Sequence, residues 1–173
     1  MMRSTQQMMW RGTLRSCRRI AGELEQALAR SSATAAQRLD IDPAFDYPQY
    51  ARDQDIHLQP GGYCLEPLAG MLYDYGLKTF MGGAADHDFV AMMGARAATV
   101  PADGTVHRVL DLGCSAGATT TALKKLHPQA EVHGIDLSAP MVRYAHLRAL
   151  QQDGDVHFHQ MNAAQLEFPD NHF

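Results

Sequence analysis

Arg108-Val-Leu-Asp-Leu-Gly-Cys-Ser-Ala-Gly-Ala-Thr-Thr-Thr-Ala-Leu-Lys-Lys-Leu126 is the stretch that decides the fold. Val109 to Leu112 is a short β-prone apolar run and Gly113 to Gly117 a tight turn. After the turn, Ala118, Ala122, Leu123 and Leu126 recur at helical spacing. Pro128 stops that helix, and Glu131-Val-His-Gly-Ile-Asp136 reads as a second strand at the distance a right-handed crossover requires. Ser138 is placed to cap a second helix, with Pro140 in its first turn and Met141, Tyr144, Ala145 and Leu147 continuing it. Val156 to Met161 then alternates as a third strand. Strand, helix, strand, helix, strand predicts the α/β class with a parallel, Rossmann-like sheet.

Such sheets bind ligands at the carboxyl ends of their strands, which here bring Asp111 to Gly117, Asp136 and Asn162 to one rim. Gly113 and Gly117 let backbone approach a ligand, and the helix that opens after them offers free N–H groups to a carboxylate or phosphate. An acid ending the second strand presents two oxygens to the hydroxyls of a ribose. The spacing Gly113-x-x-x-Gly117 is not the G-x-G-x-x-G of dinucleotide sites. Asp111, two residues before the first glycine, repels a phosphate but suits a ligand carrying an ammonium and a sulfonium, as S-adenosyl-L-methionine does.

Val109-Leu-Asp-Leu-Gly-Cys-Ser-Ala-Gly117 resembles the first motif of class I S-adenosylmethionine-dependent methyltransferases, and Gly134-Ile-Asp-Leu-Ser138 resembles their second. Asn162-Ala-Ala-Gln-Leu-Glu-Phe-Pro-Asp170 with Phe173 is similar to the stretch running into their fourth strand. The resemblance covers residues 108–173. Two other segments, His57 to Tyr63 and Met141-Val-Arg-Tyr-Ala-His146, look like one branch of methyltransferase-domain proteins. The resemblance implies that Gly113 and Gly117 frame the methionine portion, with Asp111 near its amino group, and that Asp136 holds the ribose. It further implies that Leu137 lines the adenine and that Asn162 with Ala163 reads the adenine edge. Cys114, Ser115 and Met141 complete the expected cofactor contacts.

This sequence departs from the family in three ways. Ser115 stands where a middle glycine is usual, and Asn162 where Asp is common. The family continues for several strands beyond the position of Phe173, so a truncated methyltransferase with an unpaired edge on its first strand is expected. No catalytic acid or base and no metal site is assigned, and the acceptor is unnamed.

Gly113-x-Ser115-x-Gly117 also fits the nucleophile elbow of α/β-hydrolases, with Ser115 as nucleophile, but that fold needs several strands before the elbow. A non-catalytic nucleoside-binding module is the other alternative. Cys114 reads as a small apolar residue under the turn rather than a reactive thiol. His157 and His159, on one strand face without a third ligand, read as a solvent-facing side.

Upstream, Pro60-Gly-Gly62 predicts a tight turn. Leu65, Leu68, Ala69, Leu72 and Tyr75 predict a short helix ending at Gly76, and Phe89 to Ala98 another after a flexible Gly82-Gly83 pair. Ile41 to Pro48 reads as a linker anchored by Phe45 and Tyr47. Leu14, Cys17, Ala21, Leu24 and Leu28 form one amphipathic stripe that docks on the main domain. Five arginines and no acid through Gly22 give the alternative of a mitochondrial transit segment, against an otherwise cytoplasmic reading. Three regions follow: 1–40 helical extension, 41–107 cap, and 108–173 cofactor-binding domain.

The composition, 46% hydrophobic and 20% charged over 173 residues, is that of a globular protein. Three cysteines without a C-x-x-C pair fit a reducing compartment. No apolar run is long enough for a membrane span. Seven arginines against two glutamates give 1–38 a net +5, whereas eight basic against seventeen acidic residues give 39–173 a net −9. An acidic body of that kind argues against nucleic acid as a partner.

Overall fold

A computed structural model describes residues 2–53, 56–80 and 87–173. Its centre is a four-stranded, wholly parallel sheet built from β1 (Leu39–Asp40), β2 (Arg108–Leu112), β3 (Glu131–Asp136) and β4 (His157–Gln160), in the order β1-β4-β3-β2. The crossovers between the long strands are α6 (Ala118–Leu126) and α7 (Ala139–Gln151). Around them lie α1 (Met2–Arg19), α2 (Ala21–Ala33), α3 (Gln49–Arg52), α4 (Ala69–Phe80) and α5 (His87–Arg96).

Alternation along the strands sorts the two faces. Val132, Gly134 and Phe158 pack beneath α6 and α7 with Ala118, Ala122, Val142 and Ala145, forming the principal core. Ser138 caps α7 as expected, its hydroxyl accepting from Met141 N at 3.1 Å, a contact worth about 1 kcal/mol. The same hydroxyl donates to the Tyr63 carbonyl, which ties the cap to the 57–63 turn. His146, buried on α7, reaches the carbonyls of Ser31 (3.0 Å) and Thr34 (3.1 Å) and fastens the end of α2 to the domain.

Several sequence expectations are corrected. The N-terminal stripe is two helices broken at Ile20, and α1 is seated by Trp10, Thr13 and Cys17, with Leu14 at the margin. Helix α4 does not end at Gly76; it runs on to Phe80, because Gly76 makes room for the Trp10 ring rather than terminating a turn. Helix α5 occupies His87–Arg96, and the Gly82-Gly83 pair lies outside the described residues. The region read as a helical extension ends in strand β1, which pairs through Leu39 with Phe158 and Asp40 with His159, and the Ile41 to Pro48 linker follows it without regular structure.

The other face of the sheet carries His133, His157 and His159. They are not solvent-facing: the rings of His157 and His159 stack on His133 at 4.8 and 5.1 Å. Phe168 and Phe173 meet His133 edge-on. Arg108 donates to the His172 carbonyl at 3.0 Å, so the 166–173 segment folds over this face. Strand β2 is one edge of the sheet, and Leu112 at its end is 55% exposed. Among the described residues, no helix is long and apolar enough to cross a membrane.

Candidate functional site

The loop after β2 turns sharply because Gly113, Ser115 and Gly117 adopt φ of 74°, 48° and 73°. The two glycines serve different ends. A Cβ on Gly113 would meet nothing within 4 Å, so its backbone faces open space. A Cβ on Gly117 would lie 2.7 Å from Ala145 Cβ and 3.0 Å from the Phe158 ring, so that glycine permits close packing of the loop on α7 and β4. The loop amides of Gly113 and Cys114 both donate to the Ile135 carbonyl, at 2.9 and 2.8 Å, fixing the loop to the end of β3.

Asp136 closes β3 and points back at that loop. One carboxylate oxygen accepts from Ser115 N at 3.0 Å and the other from Ser138 N at 2.9 Å. Burial pushes its carboxyl above the ordinary value, the amides of Ser138 and Ser115 pull it down, and nearby Asp111 raises it further. A carboxylate has about four acceptor positions, so two donors leave room for more. Asp111 is pushed up by burial and drawn down by the Thr120 hydroxyl, which donates to it at 2.7 Å.

A cleft of about 500 Å³ lies beside Asp136, lined by Gly113, Ser115, Leu137, Asn162 and Ala163 and also by Tyr50 and Tyr63. A second, polar recess of about 120 Å³ lies where the loop enters α6, bounded by Asp111, Gly113, Ser115, Ala118 and Tyr73. Another cavity, about 600 Å³ between α2, the 64–67 loop and the start of α7, contains none of Asp111, Gly113 or Asp136.

Six of the residues expected from sequence therefore converge on the main cleft: Gly113, Ser115, Asp136, Leu137, Asn162 and Ala163. Asp111 faces the polar recess. Two expectations change. Gly117 borders neither space and acts in packing. Met141 is wholly buried on α7 and does not line the cleft. Cys114 is packed beneath the turn against Gly134, as expected of a small apolar residue there, with burial holding its thiol well above the ordinary value, and it borders the polar recess beside Asp111. Asn162 spends its side-chain oxygen on Ala164 N at 2.9 Å, which leaves its NH₂ as the available group.

Sequence reading offered Tyr63 as a turn residue or a lid over the cofactor and Tyr47 as a linker anchor, and passed over Tyr50 and Tyr73. Tyr47 Oη accepts from Ala139 N (3.3 Å) and Gln160 Nε2 (3.1 Å), and Tyr50, Tyr63 and Tyr73 follow within 26 residues of it. That density of tyrosine was the available signal. Tyr63 Oη is buried without a hydrogen-bond partner among the described residues, and burial raises its phenol strongly. Cys64, beside Asp136, is pushed up to about 11 by burial and that charge.

The elbow reading gives way here. The Ser115 hydroxyl lies 3.5 Å from the Gly113 carbonyl and bonds Tyr73, not an imidazole. Its strand is preceded only by the two-residue β1 among the described residues.

Residues 109–173 match the methyltransferase domain family. Two curated relatives are demethylmenaquinone methyltransferases. The one from Lactiplantibacillus plantarum is 44% identical over 68 residues, covering 38% of this chain and 29% of the relative. The one from Thermus thermophilus is 35% identical over 78 residues, covering 45% and 36%. The chain thus spans about a third of the length of the curated relatives it matches. Among solved structures, the magnesium protoporphyrin IX methyltransferase of Synechocystis, with S-adenosylhomocysteine bound, is similar at 23% identity and a TM-score of 0.37, covering 56% of this chain and 41% of that one. With its first two motifs joined by the Asp136 to Ser115 bond, the chain is similar to the methyltransferase domain family over residues 109–173.

Proposed function

We propose that the cleft binds S-adenosyl-L-methionine and that the domain takes part in methyl transfer. The observation that carries this reading is Asp136, whose two oxygens are oriented by Ser115 N and Ser138 N beside a space of about 500 Å³. A volume in that range suits a nucleoside-sized ligand. The residues present fit the group: Asp136 has acceptor capacity left for ribose hydroxyls, and Gly113 opens backbone toward the cleft. Asn162 Nδ2 and the Ala163 amide offer donors at the adenine end. Asp111 and the first turn of α6 suit the ammonium and carboxylate of the methionine end. When bound, the cofactor supplies an electrophilic methyl on a sulfonium sulfur that departs as a neutral thioether. The chain's task is then to hold and orient the reactants and to exclude water, work that positioning alone accelerates strongly.

Calorimetry with S-adenosylmethionine and S-adenosylhomocysteine tests the site. Asp136→Ala removes the ribose acceptor and abandons two loop amides, and hydrogen bonds to a charged group are worth about 1.5–3 kcal/mol each, so binding should weaken by at least about tenfold. Ser115→Ala keeps the amide and should leave binding nearly unchanged. Equal affinity of the Asp136→Ala and parent proteins would remove the proposal.

A further inference from the structure

Helix α1 carries no acidic residue along its length, and its two sides differ sharply. The inner side is seated by Trp10, Thr13 and Cys17, all buried. At about 100° of turn per residue, Met8, Arg11, Arg15, Arg18 and Arg19 share roughly a third of the circumference, directly opposite those three. All five are exposed, Met8 at 66%, and exposed Ile20 follows where the helix ends. Met8, Arg11, Arg15 and Arg18 line an open groove of about 530 Å³ on this side, with Leu14 at its margin. We infer that the arginine face of α1 docks on an anionic phospholipid bilayer, lying along the headgroups while the rest of the domain stays in water. The inference is independent of the methyltransferase reading.

Three observations select that partner. The first is that the charges repel one another where they stand. Arg11 with Arg15, Arg15 with Arg18, and Arg15 with Arg19 are like-charged neighbours three or four residues apart, an arrangement that weakens a helix. Arg18 and Arg19 complement the helix dipole from the last turn, but Arg11 and Arg15 have no such role, and a planar array of phosphates answers all four. The second is the interleaving of apolar side chains. Met8 and Ile20 extend from the same surface to reach the acyl boundary, as in helices that lie in a bilayer interface. A single-stranded nucleic acid is held by aromatic stacking as well as charge, and this arc holds no ring, since Trp10 faces inward. The third is the division of charge, net +5 over residues 1–38 against net −9 over 39–173. A helix is about 10 Å across, and charges are screened over about 10 Å at 0.1 M salt. A flat surface meeting the outer side of α1 therefore feels the arginines strongly and the acidic body weakly.

The test is sedimentation of the full chain with vesicles of phosphatidylcholine alone and of phosphatidylcholine containing about 30 mol% phosphatidylserine, at about 0.1 and 0.5 M salt. Binding to the anionic vesicles should be at least about tenfold tighter than to the neutral ones at the lower salt and lost at the higher. A basic residue near such a surface contributes about fivefold, so Arg11→Gln with Arg15→Gln should weaken vesicle binding about twentyfold without lowering Tm. Arg11→Lys with Arg15→Lys should keep it, and Met8→Ser should weaken it. Trp10 is the only tryptophan of the chain and faces inward, so its emission should not change on binding. Equal binding to the two vesicle types, no binding to either, or binding indifferent to the glutamine pair overturns the inference. A vesicle-induced shift of the Trp10 emission overturns the docking of α1 as a folded part of the domain. Binding of polyuridylate as tight as that of anionic vesicles, at equal concentration of negative charge, assigns the face to nucleic acid instead, and salt-sensitive self-association without vesicle binding assigns it to a second copy of the chain.

Discussion

Gly76 of α4 lies against the indole of Trp10 on α1: a Cβ at Gly76 would overlap Trp10 Cζ3 and stand 2.6 Å from Cη2. The same indole donates to the His57 carbonyl at 2.8 Å, so one ring joins the first helix, the fourth helix and the 57–63 turn that borders the cleft. Alanine is the better helix former by about 1 kcal/mol. Gly76→Ala should nevertheless destabilise by about 1–3 kcal/mol, because overpacking outweighs propensity here. Thermal unfolding measures the loss, and the emission of the single tryptophan should move to longer wavelength as the ring is pushed toward water. A stabilised variant would show that the α1–α4 contact is not close.

Arg148, buried on α7, donates to the Ala116 carbonyl of the glycine loop at 3.3 Å while pairing with Asp88 and, at 3.7 Å, with Asp74. Asp74 is itself buried and accepts from the Tyr144 hydroxyl at 3.0 Å. Removing one member of a buried pair strands the other, at a cost of about 3–5 kcal/mol. Arg148→Ala should therefore lower Tm by roughly 10 °C for a chain of this size and weaken S-adenosylmethionine binding through a loosened loop. Arg148→Met combined with Asp74→Asn should recover much of the stability. A double variant no better than Arg148→Ala would argue against the stranded-charge account.

Burial and the charge of His133 hold His157 and His159 below the ordinary value of 6.5. The unfolded chain takes up those protons at higher pH than the folded chain does, so stability is complete above about pH 6.5 and declines as pH falls through the depressed folded values. Glu131, lowered by its 2.9 Å hydrogen bond to His133, adds a loss in the same direction at more acid pH. Tm measured from about pH 8 to 5 should fall on acidification. The double substitution His157→Gln, His159→Gln should flatten the upper part of that profile. A profile unchanged by the double substitution would mean that the stack does not titrate with folding.

The α/β core was legible because local signals agreed with one another. Pro128 before β3 and Ser138 after it bracket Glu131–Asp136, and the strand has the limits read from sequence. Where local rule and tertiary packing compete, packing prevails: Gly76 has the look of a helix terminator but serves as a seat for Trp10, and Gly117 has the look of a ligand-facing glycine but packs on Ala145. Strand β1 is two residues long and exists only through its pairing with β4, so no periodicity announces it. Tyr63 was only partly legible, open to reading as a turn or as a lid, since its closeness to Asp136 is held by the Ser138 to Tyr63 bond rather than by sequence neighbours. The histidine face was misread because alternation tells which residues share a side, not what covers it.

Ser115 holds φ at 48°, a left-handed conformation that costs a non-glycine residue about 1–2 kcal/mol, in the loop position where the family usually has glycine. Two contacts offset that strain: its amide donates to Asp136 at 3.0 Å, and its hydroxyl bonds Tyr73. Ser115→Gly relieves the strain but loses the Tyr73 bond, worth about 1 kcal/mol, and adds freedom to the unfolded chain. Its stability should stay within about 1 kcal/mol of the parent, with cofactor affinity kept because the amide remains. Ser115→Ala keeps the strain and loses the bond, so it should be the less stable of the two. Ser115→Val places a β-branched side chain at positive φ, where it is most strongly disfavoured, and should both lower Tm the furthest and weaken S-adenosylmethionine binding by turning the amide away from Asp136. Thermal unfolding and calorimetry on the three proteins give the order. If valine were tolerated as well as glycine, the loop would not be held left-handed, and the bond joining the two motifs would lose its structural basis.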